Sequence, residues 1–253
     1  MAIGGTGWQS LVVAEETVIR SSGWVTTGKK WQDVPSSINR AEQAGVSALW
    51  TGYSTLSLGL ANPITVISEQ RVADKDLPEM GFTLGELDEL RDPAVRLMIA
   101  VDESGRIEGV TSWLPSYRNR VVLGWTQDFM RRRPNGINGV MEFLIAQSAM
   151  RMREDGIEFM SLSAAPLAHT ASAPSEEASG MDRLLGYLST SLEPVYGFRS
   201  LLNFKRKFQP ELRPMLMAYP DRTALPLIGM ALARAYPPTL SVRQATTLLR
   251  GKD

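Results

Sequence analysis

Hydrophobic and polar positions alternate most clearly from Val95, where Val, Arg, Leu, Met, Ile, Ala and Val predict a strand over Val95–Val101. Glu103, Ser104, Gly105 and Arg106 then turn the chain into a second strand, Ile107–Leu114, and a third follows at Val121–Met130. Together these make a meander of three antiparallel strands. The spacing then changes: Met141, Leu144, Ile145, Ser148 and Met152 recur at helical intervals and predict a helix over Val140–Asp155, ended by Gly156. Its other early positions are apolar as well, which predicts burial on two sides.

The pattern is weaker on either side of this block. Up to about Leu90 it gives a strand at Leu11–Ile19, a helix at Val34–Ala44 closed by Gly45, and a second helix at Asn62–Lys75. Beyond the meander and its helix, Ile157–Leu162 reads as a strand of a central sheet. Ala and Ser dominate Ala164–Gly180, which reads as a mobile loop. Met181–Ser191 is helical. Tyr196–Phe208 alternates as one last strand or two short ones, which would put Lys205 and Lys207 on one face and Phe204 and Phe208 on the other. Residues after Thr239 read as a terminal helix or tail.

The stretch Gly124–Ile145 is the richest in chemistry. A strand, the cluster Arg131, Arg132 and Arg133, a turn over Pro134–Gly139 and a helix start at Val140 follow one another without a break. Backbone N–H groups at a helix start lack intrahelical partners and carry the positive end of the dipole, so this order predicts a site for a phosphate.

Composition narrows the chemistry. The 253 residues, 43% hydrophobic, are enough for one large α/β domain or two smaller lobes. Lys+Arg 27 balances Asp+Glu 27, so attraction to nucleic acid or anionic lipid has to come from local patches. One such patch is Tyr196–Arg213, where Arg199, Lys205, Arg206, Lys207 and Arg213 face only Glu211. With Cys 0 there is no disulfide, no thiolate metal site and no cysteine nucleophile, which also points to a reducing compartment. The single histidine, His169, lies in the Ala/Ser/Pro-rich stretch, so neither a zinc site nor a Ser-His-Asp triad is expected. The opening MAIGGTGWQS has neither the basic start nor the apolar core of a signal peptide. The most apolar segment, Ala224–Tyr236, is broken by Pro226, Gly229 and Arg234 and falls short of the roughly 20 residues a bilayer crossing needs. It docks on the domain or lies on a bilayer surface.

Several stretches together carry a resemblance: GKKWQDV at Gly28–Val34, NRA at Asn39–Ala41, DLPEMGFTLGELDEL at Asp76–Leu90, GVTSWLP at Gly109–Pro115, DFMRRRPNGINGVMEFLI from Asp128, SLSAAPL at Ser161–Leu167 and EPVYGFRSLLNFKRKFQP at Glu193–Pro210. From about Val12 to Tyr236 the chain resembles the C-terminal catalytic domain of aminoacyl-phosphatidylglycerol synthases, and its element order resembles the Gcn5-related acyltransferase fold. The resemblance implies an α/β fold of two tandem acyltransferase-like lobes with mixed central sheets flanked by helices. The lobes would be residues 1–92 and 93–222, with a helical segment at 223–253. It implies aminoacyl-tRNA as donor substrate with no cofactor and phosphatidylglycerol or a related anionic lipid as acceptor. It also implies a place in the cytoplasm at the inner face of the cell membrane. Typical members carry a membrane-embedded flippase-like region, and the resemblance makes such a domain a candidate partner.

The resemblance places Asp128 and Arg131 at the active site. Asp128, expected at a strand end, would orient or deprotonate the acceptor hydroxyl, and Arg131 would hold a phosphate by a two-pronged contact; the alternative is an ion pair between them. Glu142 is a lone acid in an apolar first helical turn, so it requires a cationic partner, either a substrate amine or a protein Lys or Arg. Arg132 is a phosphate contact or a solvated side chain. Lys205 and Lys207 contact tRNA or lipid phosphate, or form a solvated face. Ser163 hydrogen-bonds the aminoacyl carbonyl or caps a turn, and Tyr196 binds or packs. Arg199 matches the family wording. Lys30, with Lys29, Arg40 and Trp31, forms a basic cluster beside an aromatic ring. Ester exchange of this kind needs a proton path, an oxyanion donor and a dry pocket, and no metal. Two other readings remain open: an acyl-CoA-dependent N-acetyltransferase using the Arg132–Gly139 turn for pyrophosphate, and a lipid- or RNA-binding module with a degenerate site.

Overall fold

The computed structural model describes residues 7–26, 33–74, 89–166 and 198–235. Its strands are β1 (Gln9–Arg20), β2 (Ser47–Thr51), β3 (Arg96–Val101), β4 (Ile107–Arg118), β5 (Val121–Arg132), β6 (Phe159–Pro166) and β7 (Glu211–Tyr219), in the sheet order β2-β3-β4-β5-β6-β1-β7. The helices are α1 (Asp33–Gln43), α2 (Leu58–Asp74), α3 (Val140–Glu154), α4 (Phe198–Arg206) and α5 (Leu225–Ala235). The fold class is α/β with a mixed sheet, as expected.

The chain divides into two compact units, one of residues 18–163 with 206–211, the other of residues 1–17, 164–205 and 212–253. In the first, β2, β3, β4 and β5 are successively antiparallel, and β6 joins β5 in parallel. Helix α2 covers one face, where Ile64 and Ile67 meet Leu97, Ile99, Ile107, Val110 and Phe129 in the main core. Helix α3 covers the other, and its Met141 and Leu144 side chains lie directly over Gly109 of β4. Val140, Met141, Phe143, Leu144, Ile145, Ala146, Ser148, Ala149 and Met152 are all buried, so α3 is enclosed on two sides as the sequence pattern requires. Gly45 and Gly156, both at positive φ, follow α1 and α3 and let the chain leave each helix.

In the second unit, β7 forms the edge of the sheet. Its Leu212, Pro214, Leu216 and Ala218 are exposed. At the other end of β7, in the first unit, Glu211 pairs with Arg20 at 3.2 Å.

Three expectations are corrected. Residues 198–206 of the expected strand form the helix α4, because Leu202 and Lys205 are buried three positions apart, a spacing that suits a helix rather than a pleat. Ala164, Ala165 and Pro166 are the end of β6 rather than the start of a loop. Arg131 and Arg132 belong to β5, which runs past the expected end at Met130. The helix expected at Met181–Ser191, the rest of the Ala/Ser segment and the segment after Thr239 lie outside the described residues.

Candidate active site

Asp128 lies inside β5, not at a strand end, and it sits at an irregularity. Thr111 of β4 faces Met130 and Trp113 faces Gln127, so Asp128 and Phe129 together face Ser112. This β-bulge interrupts the alternation of the strand, and a separation of three residues no longer forces Asp128 and Arg131 onto opposite faces. The buried Ser112 Oγ accepts a hydrogen bond from the Phe129 N–H at 3.1 Å, which gives that amide a partner where the ladder slips. Asp128 itself is half-buried.

The three arginines diverge. Arg131 is only 5% exposed. Its guanidinium stands 4.4 Å from the centre of the Phe129 ring, and its Nη1 donates to the Met130 carbonyl at 3.0 Å. A delocalised, weakly hydrated cation tolerates such a seat better than an ammonium would. Arg132 is exposed. Arg133 Nε donates to the Ile107 carbonyl at 3.2 Å and lies 3.8 Å from Glu108 Oε1.

Ser163 flanks the bulge from β6. The parallel pairing of β5 with β6 runs to Thr126 and Ser161; just beyond it the Ser163 hydroxyl donates to the Gln127 carbonyl, and the Ser163 N–H donates to Ser161 Oγ at 3.1 Å. Its φ of 63° lies in the left-handed region, an uncommon conformation for a serine. The Ser163 hydroxyl is therefore engaged with the backbone of the neighbouring strand β5.

Glu142, in the first turn of α3, has the cation that its burial requires. Lys207 Nζ donates to Glu142 Oε1 at 2.9 Å and lies 4.0 Å from Asp33 Oδ2. A protein lysine, one of the two partners expected for Glu142, stands beside it. Lys207 follows the end of α4, and Lys205 lies in its last turn, so the two do not share a solvated face. Lys205 is buried in the other unit, where its Nζ donates to the Ala164 carbonyl at 3.0 Å. Burial lowers its pKa to about 8, against the opposing pull of the Glu16 carboxylate. Arg199 is in the first turn of α4; its side chain, like the whole of Tyr196 and Lys30, falls outside the described residues. Arg40 Nη1 donates to the Asn138 carbonyl at 3.1 Å, which ties α1 to the loop before α3.

Strand β4 places a further residue, not foreseen from the sequence, beside that loop. Glu108, 1% exposed, places Oε1 3.2 Å from Arg106 Nη2, and its Oε2 accepts from the Ile137 N–H at 3.4 Å. Arg106, Glu108, Arg133, Asn135, Gly136 and Ile137 are among the residues lining a cavity of about 420 Å³. The signal was present: Glu108 is the lone acid in a strand whose other residues up to Tyr117 are uncharged. Among the described residues no group of three or more His, Cys, Asp or Glu is placed to hold a metal, and no helix is long and apolar enough to cross a membrane.

The family model described as phosphatidylglycerol lysyltransferase, C-terminal, matches residues 2–219. The chain belongs to this family. An uncharacterized protein of Corynebacterium glutamicum is 43% identical over 230 residues, covering 91% of this chain and 29% of that protein. The lysylphosphatidylglycerol biosynthesis bifunctional protein LysX of Mycolicibacterium gilvum is 24% identical, over 89% of this chain and 20% of its own length. This member of the lysyltransferase family thus spans less than a third of either relative. Its fold is shared with L-PGS from Bacillus licheniformis, with a TM-score of 0.74 at 22% identity, covering 91% of this chain and 68% of that one. The C-terminal domain of a putative lysylphosphatidylglycerol synthetase from Agrobacterium fabrum gives 0.72 at 20% identity, covering 93% and 69%.

Proposed function

We propose that this chain transfers an aminoacyl group, lysyl or alanyl, from aminoacyl-tRNA to the glycerol hydroxyl of phosphatidylglycerol or a related lipid, at the inner face of the cell membrane. The bulged segment of β5, lying within the family match, carries the reading: it combines a half-buried carboxylate with a buried guanidinium three residues on. Asp128 takes the proton of the attacking hydroxyl, a role worth about 10²–10⁴ in rate. Arg131 acts as a fixed positive charge for the phosphate of the acceptor or the donor, and exposed Arg132 adds an outer contact. The hydroxyl oxygen attacks the aminoacyl ester carbonyl, the tetrahedral oxyanion collapses, and the terminal ribose hydroxyl of the tRNA leaves with a proton. One ester replaces another, so positioning dominates the cost. A membrane-embedded domain supplied by a longer chain or a partner would hold the acceptor near this site.

The test is transfer of radiolabelled lysine or alanine from charged tRNA into phosphatidylglycerol vesicles, with acetyl-CoA turnover run in parallel. Labelled lipid formed by the wild-type chain and lost in Asp128→Asn supports the proposal. Acetyl-CoA turnover without labelled lipid overturns it.

A further inference from the structure

The order strand, arginines, Gly/Asn turn, helix builds a cradle for an anion, and in this chain a carboxylate of the same chain already lies in it. Glu108 is almost fully buried, its Oε2 accepts the Ile137 N–H, and its Oε1 lies between Arg106 Nη2 at 3.2 Å and Arg133 Nε at 3.8 Å. A Cβ built on Gly136 would come within 2.7 Å of Glu108 Oε2, so the carboxylate rests against bare backbone at the approach a phosphate oxygen would use. Asn135, at φ 57°, turns the chain around it, a conformation asparagine tolerates.

We propose that Glu108 is a specificity-determining residue: its carboxylate serves as the built-in anion of the 133–137 turn, holds Arg106 and Arg133 in place, and keeps pyrophosphate-bearing ligands such as acyl-CoA out. A second anion would have to enter beside a buried negative charge and displace it from one N–H group and two guanidinium groups. Arg106 is also paired with Asp102 Oδ2 at 3.1 Å, so two carboxylates balance the two guanidinium groups and the turn offers an incoming anion no surplus positive charge. With Arg106 and Arg133 engaged by Glu108, the turn becomes a rigid lead into α3, and phosphate recognition moves to other cations.

The experiment titrates inorganic pyrophosphate and CoA separately into the wild-type chain, Glu108→Gln and Glu108→Asp, read by calorimetry and by the amide resonances of Gly136 and Ile137. Neither ligand is expected to bind the wild-type chain or Glu108→Asp at millimolar concentration. Glu108→Gln, with the charge gone and the shape kept, is expected to bind pyrophosphate about tenfold or more tighter, the factor corresponding to about 1.4 kcal/mol. Equal binding by wild type and Glu108→Gln overturns the proposal, as does an equal gain in Glu108→Asp, which would show that space rather than charge controls entry. Should Glu108→Gln not fold, the wild-type titration decides: pyrophosphate shifting the Ile137 amide overturns the inference, and silence up to millimolar concentration supports it.

Discussion

Neutralising Glu142 separates a structural ion pair from a substrate contact. The Glu142 side chain is 14% exposed and that of Lys207 is 35% exposed, with 2.9 Å between Nζ and Oε1. At that distance, and at an effective dielectric of about 20, the gross attraction is about 6 kcal/mol. Desolvating a largely buried carboxylate and fixing a long lysine side chain remove most of it. Exposed pairs retain about 0.2–1 kcal/mol, and breaking fully buried ones costs about 3–5 kcal/mol. This pair lies between those limits, with an expected coupling of about 1–2 kcal/mol, toward the lower end because Asp33 Oδ2, 4.0 Å from the same Nζ, compensates part of the charge left behind. Urea denaturation of the wild type, Glu142→Gln, Lys207→Gln and the double variant gives the coupling directly. Repeating the cycle in 1 M salt should reduce it only partly, since the carboxylate is shielded from ions. Coupling below about 0.3 kcal/mol would refute the assignment of Lys207 as the working partner of Glu142. So would a Glu142→Gln variant of wild-type stability that no longer transfers the aminoacyl group, because the carboxylate would then be serving a substrate amine.

Asp128→Asn should lower aminoacyl transfer by about 10²-fold or more while the variant still folds, and a fully active variant removes Asp128 from the proton path. Ser112→Ala should cost about 1–2 kcal/mol in urea unfolding, because it leaves the Phe129 N–H at the bulge without its side-chain acceptor; an unchanged midpoint would show that the bulge does not need the hydroxyl. Lys205 titrates at about 8 in the fold against an ordinary 10.5, so below pH 8 both states are protonated and the folded state carries the full cost of the buried charge. Stability should therefore rise by on the order of 3 kcal/mol as pH goes from about 8 to about 10.5, where the unfolded chain holds the extra proton. Lys205→Met should remove that rise and be more stable than wild type at pH 7, as urea midpoints at pH 7, 9 and 10.5 will show.

The meander and α3 were legible because their burial is periodic and their ends carry turn residues; the helix start at Val140 was read to the residue. Strand β5 was cut short at Met130 because arginine reads as solvent-facing, whereas Arg131 buries its guanidinium against Phe129. Helix α4 was misread because a buried lysine stands at the position that would otherwise have shown a helical interval, leaving Phe204 and Phe208 to suggest alternation. Strands β2 and β7 gave no warning: β2 is short, and β7 is an edge strand interrupted by Pro214. In the candidate site, Asp128 and Arg131 are candidates named through family resemblance, but the bulge was not legible, since it exists only in the register between β4 and β5. Glu142 was recognised as an acid needing a cation, and its partner, 65 residues away in sequence, was beyond local pattern.

The position of β1 between β6 and β7 sets the order in which the molecule can assemble. Strand β1 has no neighbour until β6 and β7 have been made, and Arg20 waits for Glu211, 191 residues downstream. Strands β2 to β5 can pair as they emerge, whereas β1 must be held unpaired with its backbone open to water or to other chains. Such late, long-range closure is slow because the loop entropy is lost before the contacts form. A nascent or truncated chain lacking β6 and β7 therefore exposes both edges of β1 and the open edge of β5, which makes interrupted synthesis the stage at which this molecule is most prone to aggregate.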